Sequence, residues 1–154
     1  MNAITNTLTI FLIGALSLLP SDTKGQAAPE TNRDKREMKI NITIDGNTAV
    51  AVLEDNPVAR EFVSLLPLTA DFEDFASSEK ISYLSRKLNI KNSDANYEAE
   101  VWDITYYIPW GNLAIFYKGY APSKDLAKIG RIVSGNQFLT QERSFKARIE
   151  RAED

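Results

Sequence analysis

Along residues 38–53, "MKINITIDGNTAVAVL", apolar and polar positions alternate one by one. Ile40, Ile42 and Ile44 fall on one side of an extended chain, and Lys39, Asn41 and Thr43 on the other. That is the period of a strand with one buried face. Asp45-Gly46 supplies the positive-φ positions of a tight hairpin, and Val50 and Val52 continue on the return strand. The period then changes. In "EDNPVAREFVSLLPL" Asn56 is a good N-cap and Pro57 suits the first helical position, where a missing N–H costs nothing. Val58, Phe62, Leu65 and Leu66 share one helical face, and Pro67 ends the helix. "LTADFEDFA" returns to alternation, with Leu68, Ala70, Phe72 and Asp74 on one side. "EKISYLSRKL" fits a strand or a helical turn, and "KNSDANYEAE" is a polar loop.

The stretch "ITYYIPWGNLAIFY", residues 104–117, is different: it is apolar on both sides. Pro109 and Gly111 suit a turn, so two strands form a hairpin with Trp110 at its tip. Ile104, Tyr106 and Ile108 share one face, opposite Thr105 and Tyr107. On the return strand Leu113, Ile115 and Tyr117 oppose Ala114 and Phe116. Such a pair is covered on both faces, or leaves one face for a ligand. Most of it is expected to be wall, with Ile115 or Phe116 deeply buried. The residues left for recognition are Trp110, one of Tyr106 and Tyr107, and Asp103 as a polar handle. Trp110 either stands as a platform or folds over the end of the core as a plug.

The two ends carry no such pattern. "LTIFLIGALSLL", residues 8–19, is an apolar run too short to span a bilayer comfortably, and Pro20 closes it. Gly25 and Ala27 occupy the −3 and −1 places of a cleavage after Ala27, so residues 1–27 are expected to be a signal peptide and the product exported, periplasmic or secreted. The n-region "MNAITNT" lacks Lys and Arg, and an uncleaved anchor is the competing reading. Residues 28–37 are polar and charged, a disordered tether. The domain is expected over residues 38–140. Residues 141–154, with Phe145 and Ile149 as apolar anchors four apart, read as a frayed helix or charged tail.

Composition removes several chemistries. Among 154 residues there is neither Cys nor His, so thiol and imidazole nucleophiles, His bases and the usual zinc sites are excluded. Lys and Arg number 18 against 21 acidic residues, and the basic ones are scattered, which argues against a nucleic-acid footprint.

"EDNPVAREFVSLLPLTADFEDFASSEKISYLSRKL", "DITYYIPWGNLAIFYKGY" and "LAKIGRI", in that order and spacing, resemble the bacterial cyclophilin-like fold proteins, a family usually left without an assigned activity. The resemblance runs from about Met38 to Gly135. It implies a mainly β fold, a small cyclophilin-like barrel with one or two short helices. The chain departs from the family at Leu84-Ser85, where members read Leu-Pro, and at Trp102-Asp103-Ile104, where they read Gly-Asp-Ile. Cyclophilins proper set an Arg beside an apolar pocket, near a Gln-Gly-Gly segment and a His. Here Gln137 lacks that context, and Arg60, Arg86 and Arg131 qualify by residue type alone.

Other signals are weaker. "SSEK" matches Ser-x-x-Lys without its partner motifs and reads as a turn followed by the ion-pairing Glu79-Lys80. Asn92, Asp94, Asn96, Glu98 and Glu100 lack the glycine and terminal spacing of a calcium loop, so a solvated loop is the better reading. Asp71, Glu73 and Asp74 lack an opposed carboxylate. No metal or cofactor is expected. Two functions stand: a non-catalytic module that binds a peptide or small apolar ligand, and a divergent prolyl isomerase.

Overall fold

The computed structural model describes residues 37–91, 95–119, 122–141 and 143–153. The expected signal peptide, the tether up to residue 36, and Asn92 and Asp94 lie outside them. Eight strands form a closed antiparallel barrel: β1 (Lys39–Ile44), β2 (Asn47–Leu53), β3 (Leu68–Phe75), β4 (Glu79–Tyr83), β5 (Asp103–Tyr107), β6 (Asn112–Phe116), β7 (Leu126–Ser134) and β8 (Phe145–Arg151). Around the barrel they run β1-β2-β7-β5-β6-β4-β3-β8. Helix α1 (Pro57–Val63) joins β2 to β3, and a short 3-10 helix, Asn136–Leu139, precedes β8.

The first hairpin forms where the alternation places it. Asp45 and Gly46 both take positive φ, 49° and 80°, and Ile44 pairs with Asn47. On β2 the inward positions are Ala49, Ala51 and Leu53, with Val50 and Val52 half-buried on the other side. Ile42 pairs with Ala49 and Ile40 with Ala51, so the large side chain of each pair is met by a small one. In α1 the Asn56 side chain accepts from the Ala59 N–H at 2.8 Å and donates to the Lys128 carbonyl at 2.9 Å, tying the cap to β7. The helix stops at Val63, before Pro67, and Leu65 and Leu66 are half-buried beyond it. "EKISY" resolves as strand β4.

The C-terminal reading is corrected. Residues 145–151 form neither a frayed helix nor a tail, but the strand that closes the barrel between β1 and β3. Phe145, Ala147 and Ile149 point into the core and Lys146 and Arg148 point out. The i,i+4 spacing of Phe145 and Ile149 is equally two steps of a period of two, and Ala147 fills the step between them. Phe145 stacks on Phe72 across the β3–β8 seam at 5.3 Å between ring centroids. The folded domain therefore runs past residue 140.

The interior holds Ile40, Ile42, Ile44, Phe72, Ile104, Tyr106, Leu113, Ile115 and Ile129, with α1 contributing Val58 and Phe62. A second, smaller cluster lies on the outside of the wall formed by β4, β6, β5 and β7: Ile81, Ala99, Ala114, Phe116 and Leu126, with Tyr97 and Tyr107 against it. Residues 95–102 act as a strap over part of this outer face. Tyr97 and Ser123 exchange both backbone hydrogen bonds, at 3.1 and 3.2 Å, fastening the strap to the segment before β7.

Candidate functional site

The hairpin apolar on both sides is covered inside by the core and outside, in part, by the strap. Ile115 faces the interior cluster and Phe116 the outer one, and both are buried. At its tip Gly111 takes φ 74° and its N–H donates to the Tyr107 carbonyl at 2.9 Å. This left-handed residue after the Pro109-Trp110 turn lifts the indole over the outer wall. Beyond the strap's edge the outer wall opens into a cleft of about 210 Å³. Ala114, Phe116 and Leu126 form its floor. Phe75, Tyr107 and Trp110 form its rim, and Glu79, Asn112 and Ser123 supply polar groups. Trp110 meets Phe75 and Tyr107 edge to face, at 5.5 and 5.4 Å. It remains 47% exposed and does not join the interior cluster, so it does not plug the barrel.

The four residues expected to serve recognition separate. Tyr107 and Trp110 come together on the cleft. Tyr106 points into the barrel, where its hydroxyl accepts from the Leu88 N–H at 3.0 Å. Its parity with Ile104 makes it wall, so the tyrosine left to the outer face is Tyr107. Asp103 is on the outer side but wholly buried under the strap. It accepts from Arg131 Nε at 2.9 Å, the Tyr97 hydroxyl at 2.7 Å and the Glu100 N–H at 2.8 Å, with Lys128 Nζ at 3.5 Å. Burial pushes this carboxyl up, but the donors of Arg131, Glu100 and Tyr97 outweigh it and hold it below its ordinary value. Arg131 also pairs with the Glu100 carboxylate. Asp103 is thus the knot that holds the strap, and it does not line the cleft.

Trp102 has φ 73°, a conformation glycine takes freely and tryptophan rarely. It is held by two backbone bonds, its N–H to the Phe116 carbonyl and its carbonyl to the Ile132 N–H. The three arginines singled out by type are committed elsewhere: Arg60 to Asp55 at 2.7 Å, Arg86 to Glu61 at 2.7 Å, and Arg131 to Asp103. None lines the cleft.

Sequence reasoning missed Glu79, Asn112 and Phe75. Glu79 and Lys80 look like a surface ion pair but, as neighbours on a strand, point to opposite faces. Lys80 turns inward and pairs with Asp74 at 2.9 Å and with the Gln141 carbonyl. Glu79 turns outward beside Ile81, and burial pushes its carboxyl up to about 7. The apolar Ile81 two residues on was the available signal. Among the described residues no group of three or more acidic side chains is placed to hold a metal ion.

An eight-stranded antiparallel barrel with one helix against it is the architecture of the cyclophilin-like class. The chain belongs to the Cyclophilin-like family, whose sequence profile matches residues 42–150. It is similar in fold to the solution structure of a hypothetical protein from Archaeoglobus fulgidus, with a TM-score of 0.59 and 18% identity, over 75% of this chain and 95% of that one. No curated protein is significantly similar in sequence.

Proposed function

We propose that this chain is an exported cyclophilin-like domain that binds a peptide or small apolar ligand in the outer-wall cleft without transforming it. The observation that carries the reading is the aromatic rim of Phe75, Tyr107 and Trp110 over an apolar floor on the outer wall. Rings that are half wet and half packed suit recognition of a partly apolar ligand. Export rests on the apolar run of residues 8–19 and the small residues before Ala28. Among the described residues no helix is long and apolar enough to cross a membrane. The competing isomerase reading needs a cationic group beside the apolar cleft, and the three candidate arginines are paired away from it.

The test uses a Trp102→Phe variant, which leaves Trp110 as the single indole of the chain's two. Titration with a panel of peptides, proline-containing ones included, is expected to quench or shift Trp110 emission. The same peptides are expected to isomerise at the uncatalysed rate. Binding that leaves Trp110 emission untouched, and survives Trp110→Ala, would move the site off this cleft. Clear acceleration of proline isomerisation would replace the binding reading with the enzymatic one.

A further inference from the structure

The cleft's two ends do not match its apolar floor. At one end Glu79 is 8% exposed as a residue, burial raises its carboxyl, and no described residue donates a hydrogen bond to it. At the other, Asn112 is 2% exposed and its Oδ1 has no hydrogen-bond partner among the described residues. Its Nδ2 donates to the Leu113 carbonyl at 3.3 Å. Turning the amide over would set oxygen against oxygen, so the acceptor is the free end. The register places Glu79 opposite Phe116 and Tyr83 opposite Asn112. The two acceptors therefore stand four residues apart along the sheet, roughly 13 Å between backbones. The nearby charges do not answer Glu79: Lys80 Nζ and the Tyr117 hydroxyl are both given to Asp74.

Resting on the reading of this cleft as a ligand site, we propose that its ligand is a small organic cation. An N–H-bearing ammonium meets Glu79, an apolar body lies on Ala114, Phe116 and Leu126, and a second hydrogen-bond donor reaches Asn112. Both fixed polar groups can accept, and buried acceptors left unmet are costly. A wholly apolar ligand would leave both unmet, and an anion would face a buried carboxylate. The rings of Trp110, Tyr107 and Phe75 add faces that attract a cation.

Four probes of similar size separate these contributions: tyramine, phenethylamine, 2-phenylethanol and phenylacetate, titrated into the full chain at pH 8. Tyramine, with a donor at each end, is expected to bind tightest and phenethylamine next. The neutral alcohol is expected to be weaker than phenethylamine by about tenfold or more, and phenylacetate weaker still. Glu79→Gln, which keeps the shape, is expected to weaken both amines about tenfold and leave the alcohol unchanged. Asn112→Ala is expected to bring tyramine down to phenethylamine. Thermal unfolding confirms that each variant is folded, and Tyr83→Ser on the neighbouring exposed position serves as a control that changes none of these affinities. The alcohol or phenylacetate binding as tightly as phenethylamine would overturn the cation and leave the cleft a ligand site. Amine binding indifferent to both substitutions would overturn it by placing the amine elsewhere. Silence from all four probes while peptides still report on Trp110 would also overturn it. Silence from peptides as well would remove the underlying ligand reading.

Discussion

The barrel has two unlike halves. On β1, β3 and β8 apolar and polar positions alternate, and the outer face carries Asn41, Thr43, Thr69, Asp71, Glu73, Lys146 and Arg148 in contact with water. On β4, β5 and β6 nearly every residue is buried on both sides. The first half needs one layer behind it, and the core supplies it. The second needs two, and the strap supplies the outer one except over the cleft. A doubly buried wall therefore marks where the fold has brought in extra chain, and the gap in that cover marks where a ligand has room.

The contrast can be tested by substitution. Asp103→Ala should have the largest effect. It leaves Arg131, Lys128 and Tyr97 around a cavity, and breaking such a buried pair costs about 3–5 kcal/mol. Chemical denaturation should show it, and strap amides such as Glu100 should lose protection from hydrogen exchange. Phe116→Ala, on the outer face of the covered half, should cost about 3 kcal/mol, as a core residue does. Lys146→Ala, on the outer face of the other half, should shift the unfolding midpoint by about 0.5 kcal/mol or less. Equal effects for these two would erase the distinction between the halves.

Glu79 supplies a test by pH. Its carboxyl holds its proton more firmly in the folded chain than in the unfolded one. The contribution of Glu79 should then be fully present below about pH 4.5 and be lost as pH rises through about 7. Glu79→Gln should remove that fall, gaining on the order of 2 kcal/mol at pH 8 and almost nothing at pH 4. A gain that does not change with pH would mean that Glu79 is not the group responsible. Trp110→Ala should have a small effect, between those of Phe116→Ala and Lys146→Ala. Two edge contacts on a half-exposed ring are worth about 1 kcal/mol together. A loss of several would make Trp110 part of the core after all.

The alternating half was legible where its polar face is neutral: Ile40 to Ile44, the Asp45-Gly46 turn and the Asn56-Pro57 cap follow from local chemistry. It was illegible at β8, where four charged residues in seven masked the strand and the pairing partners, β1 and β3, lie far back in the chain. In the covered half the sequence carried the fact of double burial but not which residues cover it. Tyr107 and Trp110 were readable as surface aromatics. Asp103 was not readable as a knot, because Arg131 and Lys128 reach it from 28 and 25 residues away. Glu79 was hidden by Lys80, an apparent partner that faces the other way.

The place of β8 in the ring has a consequence for how the chain is made. The strand between β1 and β3 is the last of the eight to leave the ribosome, and the first strand must wait for it. Until then the barrel is an open sheet with two bare edges, Lys39–Ile44 on one side and Leu68–Phe75 on the other, each able to pair with a neighbouring chain. Closure can therefore follow only once β8 has emerged, and until then the first strand is a template without its second partner.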